Sequence, residues 1–498
     1  MCGICGELRF DGASPDMRAV ERMSEQLARR GPDHAGTFAD GPLAFGHRRL
    51  AIIDLSPSAD QPMVDAALQL SLVFNGTIYN YRELRAELVA MGYAFFSEGD
   101  SEVILKAYHA WGEHCVQRFY GMFAFAIWDM RGVRAGRDVR DVRGGHHGSL
   151  FLARDRFGIK PLYLAKDGQR LRFASSLPAL LAGGGVDTQL DAVALHHHFT
   201  LHTVVPAPRT VLRGVRKLPP ATTMTVRMDG SSTQAVYWSL DATRPAQPLT
   251  EAEWLDATRK VLVRALERHR LAADVPVGVL LSGGLDSSLL VGLLADHVDD
   301  LLTFSIGFDG IPGVSVGAEK ADEFEFSDQI AAQFKTRHHK HLIPNSEVLA
   351  RLPEAVAAMT EPMMSHDVIA FYLLSERVSK EVKVVLAGQG ADEVFGGYFW
   401  YPLMAAETGT AVERFRRHYF DRDHAEYLEM IAPAWHVPDV TTELVAHELA
   451  KPQADTFLDE VWRFDATTLI VDDPVKRVDN MPMAWGLGPG SAGALPRP

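Results

Sequence analysis

The sequence is poor in cysteine: 498 residues hold three, Cys2, Cys5 and Cys115. Three cannot build a disulfide framework, which excludes the small cysteine-stapled secreted scaffolds. Cys2 and Cys5 have C-x-x-C spacing, but no second cysteine pair completes a zinc site. Positive charge is also short. Lys and Arg number 50 against 64 Asp and Glu, a net charge of −14. That balance argues against a nucleic-acid partner and against docking on an anionic membrane surface. Long apolar runs are missing too. The richest, 275–295, is broken by Ser282, Gly283, Gly284 and Asp286 and does not read as a membrane span. The start, Met-Cys-Gly-Ile-Cys-Gly-Glu, has no basic n-region and no apolar h-region, so no secretory signal is expected and the expected location is cytoplasmic.

What is present is a globular composition, 47% hydrophobic and 23% charged, with chain enough for two or three domains. Over 2–228 the pattern is strand-rich. Apolar runs at 43–55, 68–75, 122–128 and 150–154 are bounded by Gly, Asp and Asn, and Val103, Ile104, Ala107, Tyr108 and Trp111 recur at helical spacing between them. This predicts a mixed α+β domain. Residues 229–250 lack periodicity and read as a linker. Over 251–485, long helical patterns alternate with apolar strands at 275–281, 301–308 and 382–387, which predicts a parallel α/β sheet. The segment 131–149, with five arginines and five glycines, reads as a long solvated hairpin loop rather than an RNA-binding patch. The Gly- and Pro-rich stretch 486–498 reads as a low-complexity tail that forms no packed element.

Cys2 followed by Gly3 carries chemistry. Methionine is removed when the next side chain is small, so the mature chain is expected to begin at Cys2. A terminal cysteine offers a thiol and an α-amine of pKa about 8 in one residue, and the amine can serve as base for its own thiol. Downstream come Arg29-Arg-Gly-Pro-Asp-His34, Gly46-His-Arg-Arg-Leu-Ala-Ile-Ile-Asp54, Phe74-Asn-Gly-Thr-Ile-Tyr-Asn-Tyr81 and Gly99-Asp-Ser-Glu-Val103. The set and its order resemble the glutaminase domain of class II glutamine amidotransferases of the asparagine synthetase type. The resemblance implies an N-terminal nucleophile fold, a four-layer αββα sandwich.

It also implies L-glutamine as substrate and Cys2 as nucleophile. Arg49 would pair the glutamine α-carboxylate through two parallel hydrogen bonds, and Asp100 would hold the α-ammonium. Asn75 and the Gly76 backbone N–H would form the oxyanion hole. Each residue has a plainer role available: a strand salt bridge for Arg49, an N-cap for a helix starting at Ser101 for Asp100, and a hairpin turn for Asn75-Gly76. Their order in the chain favours the glutamine site.

A second motif is Val277-Gly-Val-Leu-Leu-Ser-Gly-Gly-Leu-Asp-Ser-Ser288: an apolar strand, a Ser-Gly-Gly turn, and a helix whose Leu285, Leu289, Leu293 and Leu294 are spaced for one buried face. Glycines let the backbone approach a phosphate, and a helix start supplies N–H groups. The motif resembles the pyrophosphate loop of ATP pyrophosphatases, which implies a synthetase domain of that type using ATP and Mg²⁺. On that resemblance Ser282, Gly283, Gly284, Asp286, Ser287 and Ser288 cradle the phosphates, and Leu280 and Ile306 flank the adenine. Ala387 and Gly388 approach the nucleotide, and Asp286 and Asp392 ligate the metal. Gln389 stands where asparagine-forming relatives have a glutamate tied to forming the acyl-adenylate.

Three departures bear on function. Thr77 replaces a family glutamate, Gln389 cannot act as a base, and the acceptor-side stretch 361–374 differs from the aspartate-binding pattern. With Asp472-Asp-Pro-Val-Lys-Arg-Val-Asp-Asn480, they resemble the N-acetylglutaminylglutamine amidotransferase branch, which implies a dipeptide carboxylate as acceptor and leaves room for a homodimer. The tail after Leu487 departs from the family's continuation and reads as a C-terminal truncation. The competing expectation is therefore a protein impaired in synthesis that retains only glutaminase activity or ligand binding. The run His196-His-His198, with no carboxylate or cysteine at ligand spacing in the sequence, reads as surface or structural.

Overall fold

A computed structural model describes residues 1–131, 148–309, 324–363 and 367–491. The chain divides into two units: Met1–Ala194 with Val205–Ser239, and Leu195–Val204 with the rest from Leu240. The expected loop at 131–149 lies, apart from its ends, outside the described residues.

The first unit holds twelve strands among the described residues: β1 Cys2–Arg9, β2 His34–Asp40, β3 Leu43–Arg49, β4 Met63–Asp65, β5 Leu70–Ile78, β6 Gly121–Asp129, β7 Ser149–Arg154, β8 Tyr163–Lys166, β9 Arg170–Ala174, β10 Arg216–Lys217, β11 Thr222–Arg227 and β12 Ser232–Val236. They form two six-stranded sheets, β10-β8-β9-β1-β3-β2 and β12-β11-β7-β6-β5-β4. Alternation along β1 decides what faces what. Ile4 and Leu8 point into the core between the sheets with Leu43, Phe45, Val73, Ala126 and Trp128. Cys5, one step out of phase, packs outside with Val20, Met23, Leu27 and Leu180, under the helices Met17–Gln26 and Leu177–Gly183. On the far side the helix Asp100–Trp111 lays Tyr108 against Phe151, ring centroids 5.0 Å apart. The αββα sandwich expected from the sequence is what forms. Each large apolar side chain buried between the sheets contributes about 1.5–3 kcal/mol, which fixes the register that places Cys2.

The second unit is built on a parallel sheet of β13 Val277–Leu280, β14 Leu302–Phe308, β15 Arg337–Ile343, β16 Val384–Ala387 and β17 Gly488–Ser491, in the order β15-β14-β13-β16-β17. β13 is the switch point, with the later strands laid down on either side, the arrangement that opens a crevice at the strand C-termini. A separate helical core gathers Tyr401, Phe415, Tyr419, Val445, Phe464 and their neighbours.

The structure corrects three expectations. Residues 229–250 are not merely a linker: β12 pairs with β11, and Arg244 binds Asp459 at 3.0 Å. The tail is not wholly unpacked, because Gly488–Ser491 pairs with β16 through main-chain bonds that need no side chains. The helix Leu285–Ala295 buries Ser287, Leu290, Val291 and Leu294, while Leu285 is 83% exposed; a helix this rich in leucine has no unique apolar face in sequence. Of the two readings of the histidine run, surface or structural, the burial of His196 and His197 favours the structural one.

Candidate functional site

In the first unit, β1 brings Cys2 opposite Arg49 of β3, and alternation puts His47 on the same face. The Cys2 amide donates to Asn75 Oδ1 at 2.9 Å, joining the start of β1 in one sheet to β5 of the other. Arg30, from the first quoted motif, donates to the Cys2 carbonyl at 3.4 Å. Asn75 is fully buried, and its Nδ2 finds no acceptor among the described residues. A buried N–H donor left unpaired costs about 1–3 kcal/mol, so this one is available to a water or a ligand oxygen. At Gly76 a Cβ would stand 2.2 Å from the Met122 carbonyl oxygen, so only glycine lets β5 run this close to β6. Cys2, Arg49, Gly76, Thr77 and Asp100 all line one cavity of about 30 Å³. That volume holds about one water; the buried Met1 lines the same cavity, and Lys160 Nζ reaches its sulfur at 3.1 Å.

The two neighbouring thiols are electrostatically opposite. Burial alone would raise the Cys2 thiol, but the N-terminal ammonium, His47 and the Leu50 N–H outweigh it and bring it down to about 6. Cys5 meets only burial of consequence and rises to about 12. Asp100 is pushed up to about 6 by burial, against the pull of the Ile78 N–H and the N-terminal ammonium.

Two plainer roles are also decided. Asp100 is the first helical residue, after the N-cap Gly99, and its carboxylate accepts from Ile78 N at 2.9 Å; it is not the cap of a helix beginning at Ser101. Asn75-Gly76 lies inside β5, not in a hairpin turn. Arg49 is more committed than expected. It binds Asp60 at 2.6 Å, the Ser56 carbonyl at 3.0 Å and the Asp54 carbonyl, so three of its donors hold the Asp54–Asp60 loop. Sequence reasoning passed over His47, although it stands inside a quoted motif. It also passed over Lys160, which no local signal marks; Asp155 positions it by accepting from the Ile159 and Lys160 amides.

In the second unit a cavity of about 450 Å³ opens at the C-terminal ends of β13, β14 and β16. Leu280, Ile306, Ala387, Gly388 and Gln389 line it, with Ser282, Gly284, Asp286, Ser287 and Asp392. Gly283 and Ser288 do not. Gly283, at φ +94°, turns toward the helix Phe324–Phe334, where a Cβ would meet Phe326 at 2.5 Å. Ser288 is one helical step, about 100°, past Ser287. The loop is braced internally: Ser282 Oγ meets Ser287 Oγ at 3.1 Å and accepts from Gly284 N at 3.2 Å. Gly388 packs on the start of the helix, and a Cβ there would stand 2.9 Å from Asp286 Cβ.

The carboxyl of Asp286 is raised by burial and then by the charge of Asp392; that of Asp392 is raised by burial. Two hard carboxylates that repel each other across a phosphate-sized crevice suit a divalent cation, so the donor set fits Mg²⁺.

Comparison with known proteins accounts for both units. A glutamine amidotransferase domain model matches residues 1–238, and an asparagine synthase model matches 257–489. A Mycobacterium tuberculosis relative bearing the glutamine-hydrolyzing asparagine synthetase name is 36% identical over 80% of this chain and 59% of its own length. Asparagine synthetase 1 of Bacillus subtilis is 33% identical over 80% and 59%. A Methanocaldococcus jannaschii relative of the same name is 33% identical over 80% and 76%. The chain thus spans 59% of the length of the first two. No helix among the described residues is long and apolar enough to cross a membrane. The chain belongs to the glutamine-hydrolyzing asparagine synthetase family, with its amidotransferase domain ahead of its synthase domain.

Proposed function

We propose that the protein transfers the amide nitrogen of glutamine to an ATP-activated carboxylate. The observation that carries this reading is the pairing on one chain of a thiol lowered to about 6, beside an unpartnered buried amide, with a crevice lined by two carboxylates and a Ser-Gly-Gly turn.

Removal of Met1 opens its buried space beside Cys2. The Cys2 thiolate attacks the glutamine side-chain carbonyl, and the oxyanion takes hydrogen bonds from Asn75 Nδ2 and the Gly76 N–H. The Cys2 α-amine, freed by loss of Met1 and carrying the proton taken from the thiol, gives that proton to the amide nitrogen; collapse then expels ammonia and leaves a γ-glutamyl thioester, which water hydrolyses to glutamate. The free edge of Arg49 holds the α-carboxylate and Asp100 the α-ammonium.

In the second unit the acceptor carboxylate attacks the α-phosphorus of ATP, and pyrophosphate leaves. Ammonia then attacks the activated acyl carbon, and AMP leaves behind the new amide. Asp286 and Asp392 would hold Mg²⁺, which supplies charge neutralisation at the phosphates. The turn after β13 receives the phosphates, Leu280 and Ile306 flank the base, and Ala387-Gly388 closes against it.

Gln389 favours an acceptor other than free aspartate, because it offers an amide where asparagine-forming relatives have a carboxylate. The acceptor we infer is a dipeptide carboxylate of the N-acetylglutaminylglutamine kind. The test is acceptor-dependent pyrophosphate release with that dipeptide against aspartate. Release with the dipeptide alone supports this acceptor; release with aspartate alone refutes it.

A further inference from the structure

The histidine run that carried no function in sequence meets partners from far along the chain. His196 is fully buried, and its Nε2 lies 3.0 Å from His424 Nδ1 and 3.9 Å from Asp439 Oδ1. The three donor atoms all fall within 4.8 Å of one another. All three residues belong to the second unit: His196 on the helix Ala192–Thr200, His424 at the start of His424–Met430, and Asp439 at the start of Val440–Leu449, which it caps by accepting from Thr442 N.

Two features separate this from an ordinary pair of bonded histidines. First, His196 Nδ1 meets Thr441 Oγ1 at 2.5 Å, and His197 Nδ1 meets the same oxygen at 2.9 Å. If His196 donates to that hydroxyl and the hydroxyl donates on to His197, Nε2 of His196 is left as a lone pair aimed at His424. A ligating histidine is held in its tautomer in this way. Second, one wall is closed and one is open. The Tyr427 ring packs 4.5 Å from the His196 ring, whereas the Asp439 side chain is 33% exposed and gives an ion a way in.

Tetrahedral Zn–N bonds of about 2.0–2.1 Å put two ligand nitrogens about 3.3–3.4 Å apart. The histidine pair, at 3.0 Å, needs to open by only about 0.3 Å. The Asp439 carboxylate needs to close by about 1 Å, which a part-exposed side chain can do; Oδ1, which accepts from Thr442 N, would turn to the metal while the second oxygen takes over the cap.

We infer that His196, His424 and Asp439 form a binding site for a zinc-class divalent ion, which pins the Leu195–Val204 segment to the helices His424–Met430 and Val440–Leu449. Two imidazoles and one carboxylate leave a fourth position for water. The donor set is soft enough to exclude Mg²⁺, which prefers all-oxygen ligands. The inference is independent of the glutamine and nucleotide sites, since none of its residues lines either cavity.

The test uses the full chain stripped of metal with chelator and titrated with zinc chloride, alongside His424→Gln and Asp439→Asn. A third variant, His339→Gln with His341→Gln on the histidine-rich β15, serves as control. Wild type and control should bind one Zn²⁺ per chain and melt a few degrees higher with it. Each ligand variant should bind about 10–100-fold more weakly or worse and lose the thermal shift. Cobalt(II) should give the intense visible bands of a four-coordinate site in wild type and not in the ligand variants. If wild type binds no zinc, or the ligand variants bind as tightly as wild type, the three residues form only a hydrogen-bonded network and the inference fails. Loss of binding in the β15 control instead would also overturn it.

Discussion

The main-chain nitrogen of Cys2 and the side-chain oxygen of Asn75 meet at 2.9 Å across 73 residues of sequence, one on each sheet of the sandwich. That bond fixes which way the Asn75 amide points. With Oδ1 occupied by Cys2, Nδ2 has no acceptor among the described residues, which leaves it for the oxyanion in the proposed mechanism. Asn75→Ala should lower glutaminase kcat by about 10²–10³ with a small change in KM, because the lost bond is made to the oxyanion rather than to bound glutamine. An unchanged kcat would remove Asn75 from the oxyanion hole.

Cys2 and Cys5 give a pH test within one strand. A thiol lowered to about 6 is thiolate over the whole neutral range, while one raised to about 12 is not. In the chain that retains Met1, whose ammonium does most to lower this thiol, iodoacetamide should therefore label Cys2 with a rate that rises through about pH 6 and then levels, and should spare Cys5. His47→Asn removes a group that lowers the Cys2 thiol and should move the rise to higher pH. Peptide mapping of the labelled protein reads both outcomes.

The nucleotide crevice separates from the glutamine site by mutation. Asp392→Asn removes a charge that Asp286 feels, along with half of the fitted cation-binding pair. Pyrophosphate release should fall by about 10²–10³ while glutaminase activity stays within a factor of two. Parallel losses in both activities would argue against this assignment.

Asp465 predicts a stability trend with a definite sign. It is buried, accepts from the Tyr401 hydroxyl, and is pushed up to about 8 by burial. Between its ordinary value of 3.8 and about 8, the unfolded chain has released this proton and the folded chain retains it. Folding stability from this group is therefore lost as pH rises through that window. Asp465→Asn should melt at an increasing advantage over wild type between pH 4 and pH 8, and a constant difference across that range would contradict the assignment.

Much of both sites was legible because local chemistry marks it. Asn-Gly between apolar residues, Arg at the end of a strand, and Ser-Gly-Gly between strand and helix each impose a geometry that few other residues tolerate. The rest depends on long-range contacts. Nothing near Arg49 in sequence says that Asp60 and the Ser56 carbonyl will take up much of its guanidinium. β15, Arg-His-His-Lys-His-Leu-Ile, was missed because its histidines disguise an alternating strand. β17 was missed because Gly-Pro-Gly-Ser has no side-chain pattern, only a backbone that pairs with β16. His196 shows the same limit most sharply, since its partners lie 228 and 243 residues away.

The central claim is that glutamine nitrogen, released at Cys2, ends in a new amide made at the expense of ATP. The most direct measurement supplies glutamine labelled with ¹⁵N in its side-chain amide, ATP, Mg²⁺ and the N-acetylated glutamine dipeptide, and follows the label and AMP together. The account predicts ¹⁵N in the dipeptide amide with one AMP per label transferred. It also predicts that Cys2→Ser loses transfer from glutamine yet still forms AMP and amide from ammonium chloride. No AMP and no amide from either nitrogen source, with aspartate or the dipeptide as acceptor, would contradict it.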